Sequence, residues 1–344
     1  MKYFAGLDVS LDETALCIVD DKGTIVREGK AFSEPEALIA WLAEVGLGLE
    51  KIGLEAGPLS PWLFEGLQKA GLPAVCIETR RMKGATAAMA VKTDRNDARA
   101  IAQAIRVGWY TAVHVKTIES QELRLLLTNR KTLLASRVVI ENEVRGTLKA
   151  FGFKVGTVTP ASFEERVLDL VADRPRLLTM IRPMLAARDG IRRQYDALHR
   201  MVLRATRIHP ACRRLMTVPG VGPVVALTYA TAVDNPERFA KSRDVGAHFG
   251  LTPRKYASGE IDRNGAISKS GDRMVRVALF QAALSLLTRS HRWSALKAWG
   301  MALAKRRGLK RATVAVARKL SVLLHRLWTD QTEFQWTRED SLAA

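Results

Sequence analysis

The chain has 344 residues, of which 47% are hydrophobic and 26% charged, a globular composition with room for two or three domains. No apolar run approaches the roughly 20 residues of a membrane-spanning helix, and the N-terminus reaches an acid before a signal-peptide core could form. The three cysteines lack the spacing of a zinc site or a disulfide framework, so we expect a cytoplasmic protein without a membrane partner.

Positive charge is concentrated in the later two-thirds of the chain. The formal net charge is +19, of which residues 1–115 carry −2 and residues 116–344 carry +21. Such a basic region attracts polyanions by releasing their condensed counterions. A membrane-surface protein could have similar totals, but no segment combines a lysine-rich face with a bulky apolar face. Nucleic acid is therefore the expected partner.

Residues 1–115 alternate between strand and helix patterns. Three β-rich runs come first, and the turn Asp21-Lys22-Gly23 predicts a hairpin between the second and third. The predicted strands are 3–9, 14–20, 24–29, 51–55 and 73–78, and the predicted helices are 33–45, 61–70 and 93–105. A three-strand meander followed by alternating helices and strands is the order of the ribonuclease H-like fold, so we predict an α/β N-terminal domain of that class.

Four acids in this domain are candidate metal ligands. Asp94 and Asp97 lie three residues apart behind the helix cap Thr93, so both carboxylates project from one face of the first helical turn. Alone, the pair is better explained by its favourable interaction with the helix dipole. Asp8 and Glu55, however, end the first and fourth predicted strands. The four carboxylates together favour a site for a divalent metal ion.

Residues 116–208 are predicted to form a helical coiled-coil linker and dimerisation region. Helices are expected over 118–151, 163–171 and 176–208, with Leu126, Leu133 and Ile140 at heptad intervals. Burial of the first helix against the chain's own later helix explains the same pattern equally well.

Residues 209–330 are predicted to form a mainly α-helical C-terminal domain, followed by a tail over 331–344. The sequence Pro219-Gly220-Val221-Gly222 resembles the turn of a helix-hairpin-helix element, in which Gly220 and Gly222 would let a DNA phosphate approach the backbone. A tight turn between packed helices is the alternative.

A glycine-rich, polar and basic loop is predicted over 249–273, before apolar helices over 274–287 and 310–328. Its cationic side chains are candidate contacts to a nucleic-acid backbone, or else solvated surface charge. These candidates are Arg254, Lys255, Arg263, Lys269 and Arg273.

Taken together, the motifs resemble those of the DEDD-type transposases of the insertion-sequence 110 family, including its 1111 branch. The matching segments are Gly6-Leu7-Asp8-Val9-Ser10, Leu54-Glu55-Ala56, Lys92-Thr93-Asp94-Arg95-Asn96-Asp97-Ala98, Pro219-Gly220-Val221-Gly222, Phe249-Gly250-Leu251-Thr252-Pro253, Ser258-Gly259 and Ile267-Ser268-Lys269-Ser270-Gly271-Asp272-Arg273. The resemblance implies a RuvC-like domain whose acids Asp8, Glu55, Asp94 and Asp97 bind Mg²⁺ or Mn²⁺, and a C-terminal transposase domain.

The same resemblance implies that Ser258 is the catalytic nucleophile and forms a covalent serine–DNA intermediate. It also implies double-stranded DNA partners at the element ends and the target, a bridge RNA, and a homo-oligomer that is a dimer or a tetramer on DNA. Two departures from the family pattern are Gly57-Pro58 after the fourth strand and Glu260 in place of a second glycine after Ser258.

Ser268 and Ser270 are rival hydroxyls in the same loop. Two other classes of function remain open at this stage. One is a RuvC-like, structure-specific endonuclease that hydrolyses DNA without a covalent intermediate. The other is a nucleic-acid-binding protein without catalytic activity.

Overall fold

A computed structural model describes residues 1–86, 92–259 and 261–336. The chain falls into two compact units, Met1–Lys116 and Thr117–Ala344. The proposed division of the second unit into a coiled-coil region and a C-terminal domain stays a prediction. Glu260 and residues 337–344 of the predicted tail lie outside the described residues.

A five-stranded sheet forms the centre of the first unit. Its strands are β1 (Tyr3–Val9), β2 (Glu13–Asp20), β3 (Ile25–Phe32), β4 (Leu49–Glu55) and β5 (Ala74–Ile77). They lie in the order β3-β2-β1-β4-β5, with β1, β2 and β3 antiparallel and with β4 and β5 parallel to β1. This is the predicted meander followed by parallel strands, which is the strand order of the ribonuclease H-like fold.

Helices cover both faces of this sheet. The helices are α1 (Pro35–Glu44), α2 (Ser60–Lys69), α3 (Thr79–Thr86) and α4 (Asp94–Arg106). Leu38 of α1 and Leu63 of α2 are fully buried in one core, whereas Ile101 and Ile105 of α4 belong to a second core. Because successive side chains of a strand point to opposite faces, the central strands contribute to both cores.

α4 lies unusually close to the backbone of β1. A Cβ atom placed on Gly6 would stand 2.3 Å from both Ala98 O and Ala102 N. At Gly53 of β4, a Cβ would stand 2.4 Å from the Ile105 side chain. Glycine at these two positions lets the helix rest directly on the sheet, and this contact fixes the depth of the N-terminal turn that carries Asp94 and Asp97.

The second unit is mainly helical. Its helices are α5 (Ile118–Lys149), α6 (Phe163–Leu170), α7 (Pro175–Ile208), α8 (Pro210–Leu215), α9 (Pro223–Val233), α10 (Asp244–His248), α11 (Arg273–Thr288), α12 (Ala295–Arg307) and α13 (Leu309–Thr329). A two-stranded antiparallel hairpin of β6 (Pro253–Ser258) and β7 (Ile261–Ile267) lies between α10 and α11. No helix among the described residues is long and apolar enough to span a bilayer.

The long helix α5 packs along α7 of the same chain. Two of its heptad positions, Leu126 and Ile140, pack against hydrophobic cores of this unit, so burial within the chain accounts for them. Arg188 of α7 is only 1% exposed. It pairs with Glu141 of α5, and its guanidinium lies over the Phe163 ring. Self-association through α5 remains a prediction.

Candidate active site

Two of the four predicted acids meet at one edge of the sheet. β1 and β4 run parallel with Leu7 opposite Leu54, so Asp8 and Glu55, the next residue of each strand, emerge side by side. Both line a cleft of about 200 Å³, which is also bounded by residues 9–11 and 56–60. The cleft therefore brings two acidic residues to the same carboxyl edge of the sheet.

The turn after Glu55 is closed by a serine. The Ser60 hydroxyl donates to Glu55 O and accepts a hydrogen bond of 2.8 Å from Gly57 N. Thr79 Oγ1 also donates to Ala56 O at 2.9 Å. The turn containing Gly57 and Pro58, where the sequence departs from the family pattern, is therefore held by side-chain hydrogen bonds that set the exit of β4.

The other two acids lie on the first turn of α4, as predicted. Thr93 caps this helix by accepting a hydrogen bond from Asn96 N. Asp94 is exposed, and Asp97 is partly buried with its Oδ1 atom shielded from water and lacking a hydrogen-bond partner among the described residues. A buried carboxylate oxygen without a donor is costly unless a cation or a proton satisfies it.

Asp8 experiences the combined charge of the α4 acids. Burial, followed by the charges of Asp97 and then Asp94, raises its pKa from 3.8 to about 6, and Lys92 opposes this rise. Three acidic groups therefore lie within electrostatic range of one another. A shared excess of negative charge of this kind is relieved by a bound cation.

The donor set fits a divalent metal ion in chemistry, though not in its present side-chain arrangement. No group of three acidic, histidine or cysteine side chains among the described residues is arranged as ready-made metal ligands. The carboxylates would have to rotate to share an ion. Mg²⁺ and Mn²⁺ prefer oxygen ligands, and a cation bound here would satisfy the Asp97 oxygen and lower the pKa of Asp8.

A salt bridge that the sequence did not reveal holds α4 against the edge of the sheet. Glu28 of β3 pairs with Arg99 and Arg95, which lie in the same part of α4 as its acids, and these contacts lower the pKa of Glu28 from 4.5 to about 2. The Glu28 side chain is only 11% exposed. The only signal in the sequence was the four-residue spacing of the two arginines on one helix face.

The predicted serine loop is a β-hairpin. All six residues of β6 are exposed, and Ser258 is the last of them, immediately before Gly259 with its positive φ of 55°. Ser258 pairs with Ile261 at the end of the ladder. The candidate nucleophile therefore stands at the tip of an exposed hairpin.

Side chains brace the hairpin across its strands. A Cβ on Gly265 would stand 2.9 Å from the Tyr256 ring, so the ring lies directly over that glycine. The Arg263 guanidinium lies 5.7 Å from the centre of the same ring, and Lys255 pairs with Asp262 at 3.1 Å. Tyr256 thus stabilises the hairpin, and the cationic groups remain at the surface.

The remaining loop candidates lie at the hairpin's root. The Ser268 and Ser270 hydroxyls bond to each other at 2.9 Å and are partly buried, unlike Ser258. Lys269 has a positive φ of 57°, and Arg254 donates to Ser268 O. Arg273 begins α11, where the Asp272 carboxylate already accepts from Met274 N and Val275 N. Binding of an anion at this helix end would therefore depend on side chains.

The two glycines of the Pro-Gly-Val-Gly turn differ in their surroundings. Gly220 has a φ of 84°, and a Cβ there would lie 2.4 Å from Ala282 O of α11. Gly222 has no neighbour within 4 Å of such a Cβ and caps α9, where Pro223 is at the first position. Close packing accounts for Gly220, whereas Gly222 leaves the start of α9 accessible.

Comparison with known proteins decides the family. A family model described as a transposase, the DEDD type of the IS110 group, matches residues 5–152, and a model of the transposase IS116/IS110/IS902 family matches residues 212–298. The transposase for insertion sequence element IS1111A of Coxiella burnetii is 30% identical over 339 residues, covering 96% of this chain and 90% of that protein. The chain belongs to the IS110 family of transposases. The IS110-family protein is thus a DNA-cleaving transposase.

Two further proteins are similar to this chain. The transposase for insertion sequence element IS1328 of Yersinia enterocolitica is 26% identical to the IS110-family chain, covering 71% of this chain and 75% of that protein. Among solved structures, T. thermophilus RuvC in complex with a Holliday junction substrate is 16% identical, with a TM-score of 0.27, and covers 33% of this chain and 100% of that one.

Proposed function

We propose that this transposase excises and inserts its own insertion-sequence element by means of a metal-binding acidic site and a serine nucleophile. The observation that carries the proposal is the convergence of Asp8, Asp94 and Asp97. Burial of Asp8 together with the charges of Asp97 and Asp94 raises the pKa of Asp8 to about 6, and an Asp97 oxygen is buried without a donor. Glu55, beside Asp8 in the cleft, completes the set of ligands.

In this proposal Asp8, Glu55, Asp94 and Asp97 hold Mg²⁺ or Mn²⁺. Such an ion, when bound, supplies positive charge that offsets the charge developing on phosphate oxygens during strand cleavage. The protein's own contribution is positional. Gly6 lets α4 rest on β1, Thr93 starts the helix at the right residue, and Glu28 fixes its rotation.

Ser258 is the proposed nucleophile. Its Oγ attacks the phosphorus of a DNA phosphodiester and forms a serine–phosphate ester, while the bond from phosphorus to one deoxyribose oxygen breaks and that oxygen leaves as a hydroxyl. The serine proton passes to a base, and a proton returns to the leaving oxygen, so the step is balanced. The ester conserves the energy of the phosphodiester for rejoining. Exposure supports Ser258 over Ser268 and Ser270, whose hydroxyls bond to each other at the root.

The proposed partners are double-stranded DNA at the element ends and at the target, together with a bridge RNA, bound by a dimer or a tetramer of this chain. The charge of +21 over residues 116–344 supports binding to nucleic-acid backbones. The proposed contacts lie on and beside the hairpin and at the open turn before α9. They are Arg254, Lys255, Arg263, Lys269, Arg273, Gly220 and Gly222. RNA that copurifies with the protein from cells carrying the element, and is lost at high salt, would support the RNA partner.

The deciding experiment traps the covalent intermediate. The protein is incubated with element-end DNA and Mg²⁺, denatured, and digested, and the modified peptide is mapped by mass spectrometry. We expect the nucleotide on Ser258, with no adduct in Ser258→Ala and full adduct yield in the matched variant Ser162→Ala, a serine far along the chain before α6. Cleavage by Ser258→Ala with no adduct on any serine would indicate hydrolysis and overturn the proposal.

The metal is tested separately by a binding measurement. Calorimetric titration with Mn²⁺ should give a binding isotherm for the wild-type protein that is lost in Asp97→Asn. Equal binding by both proteins would contradict the assignment of Asp97 as a ligand, whatever the outcome of the adduct experiment.

A further inference from the structure

The root of the serine hairpin is built around one arginine that the proposed chemistry does not use. Arg276, in the first turn of α11, directs a single guanidinium nitrogen at three backbone carbonyl oxygens. They are Phe249 O at 3.2 Å, Ser270 O at 2.5 Å and Gly271 O at 3.0 Å. The first lies in the segment that leads into β6, and the other two lie in the segment that leaves β7. Arg276 therefore joins the two ends of the hairpin.

The backbones of the same two segments also pack directly against each other. A Cβ on Gly250, at φ 67°, would lie 2.3 Å from Ser270 O, and one on Gly271, at φ 69°, would lie 2.2 Å from His248 O. Hydrogen bonds from Ser268 N to Thr252 O and from Lys269 N to Gly250 O complete the junction. Backbone contacts this close leave little room for the segments to shift relative to each other.

An ion pair fixes the start of α11 beside this junction. Arg124 of α5 pairs with Asp272 at 2.5 Å, and the Asp272 carboxylate also caps α11. The Arg124 and Asp272 side chains are 23% and 20% exposed, so water screens this pair only partly. Arg276 thus extends from a helix whose first turn is itself anchored to the core of the unit.

The exposed hairpin projects from this root, so a small tilt of the root moves the tip of the hairpin by a larger distance. The strand from Pro253 to Ser258 is about 17 Å long at roughly 3.3 Å per residue, so a tilt of about 10° at the root would move Ser258 by about 3 Å. A displacement of about 1 Å in a reacting group can cost about 100-fold in rate. The orientation of the root is therefore a condition for attack by a group at the tip.

We propose that Arg276 is a positioning residue for strand transfer, which fixes the direction of the hairpin and so the place of the Ser258 hydroxyl. The part of this inference that concerns Ser258 rests on the proposed function. The part that concerns the hairpin's direction does not, and the two parts can be measured separately.

Spin labels measure the direction of the hairpin. Cysteines introduced at the exposed positions Ala257 and Gln281 can be labelled selectively, because Cys17, Cys76 and Cys212 are buried. Electron–electron double resonance gives the distribution of distances between the hairpin and α11. We expect Arg276→Gln to broaden this distribution at least about twofold, and Arg276→Lys, which keeps the charge and part of the hydrogen bonding, to give an intermediate width. An unchanged distribution in a folded Arg276→Gln protein would overturn the proposal.

Arg289→Gln is the matched control, since Arg289 is an exposed arginine at the opposite end of α11 and its loss removes the same charge. Adduct formation at saturating element-end DNA should fall about 10- to 100-fold in Arg276→Gln, with DNA affinity within about twofold of Arg289→Gln. A broadened distribution with an unchanged rate would also overturn the proposed role. Absence of an adduct on Ser258 in the unsubstituted protein would overturn the assignment of Ser258 as the nucleophile. The measured distances would then test only whether Arg276 fixes the direction of the hairpin.

Discussion

Replacing Asp8 with asparagine should make the metal-free protein more stable at neutral pH while abolishing its activity. Asp8 keeps its proton in the folded protein up to about pH 6, whereas in the unfolded chain it loses the proton near pH 3.8. Between these values the folded state binds more protons, so its stability falls as pH rises, and above pH 6 the loss is constant. Asparagine cannot ionise and avoids this loss.

The size of the effect follows from the shift in pKa. A rise from 3.8 to about 6 corresponds to at most about 3 kcal/mol at 1.36 kcal/mol per pKa unit. Water reaches part of the Asp8 carboxylate, so about 1–2 kcal/mol is the appropriate figure after allowance for screening. For a unit of this size that amounts to about 4–8 °C in melting temperature.

Thermal unfolding of the first unit in EDTA, followed from pH 4 to pH 8, is the assay. The melting temperature of Asp8→Asn should match that of the wild type near pH 4 and exceed it by the full amount above pH 6. Asp12→Asn, at an exposed aspartate between β1 and β2, should follow the wild type throughout. Added Mg²⁺ should then stabilise the wild type and leave Asp8→Asn unchanged. A constant difference across this pH range, or equal stabilisation by Mg²⁺, would refute the reasoning.

Three further predictions concern packing and charge. In a denaturation assay, Gly6→Ala should lower the unfolding free energy by about 2–3 kcal/mol, because the new Cβ would stand 2.3 Å from the α4 backbone. Gly48→Ala should be nearly neutral in the same assay, because its Cβ meets nothing within 4 Å. Glu28→Gln should lower the melting temperature at pH 7. The difference in melting temperature from the wild type should shrink as the pH falls from about 4.5 towards about 2, because wild-type Glu28 also loses its charge there. A difference that does not depend on pH would contradict the ion-pair explanation. Arg188→Met should cost about 3 kcal/mol in urea unfolding, since it leaves the partly buried Glu141 with one cation fewer, and an unchanged midpoint would show that the pair contributes nothing.

Local sequence patterns were sufficient to predict the five strands of the first unit and its helices α1, α2 and α4, but not α3. Its strands are short apolar runs bounded by turn residues, and Asp8 and Glu55 at their ends could be paired because parallel strands end at the same edge. The N-terminal cap of α4 was likewise readable from Thr93 and the acids that follow it. Local signals of this kind act within a few residues.

The β6–β7 hairpin and the salt bridges between Glu28 and α4 could not be predicted from such local patterns. β6 is exposed at every position, so it lacks the alternation of apolar and polar residues that marks a strand. Glu28 lies 67 and 71 residues from its two arginine partners, and no local pattern joins them. The tight packing of Gly220 on α11 was likewise not predictable, because it joins residues that are distant in the sequence and meet only in the folded chain.

The β6–β7 hairpin also has a consequence for how the protein opens. Within the described residues its strands pair only with each other, so both outer edges carry backbone groups that water can reach. An isolated two-stranded ribbon is marginally stable, and this one depends on its junction with α10 and α11 for order. It should therefore open by local fluctuation, with exchange of its amide hydrogens far faster than that of the surrounding helices, and become protected when nucleic acid binds along it. The direction of the hairpin would then be set at its root, while the pairing of its two strands would be strengthened by the substrate on which it acts.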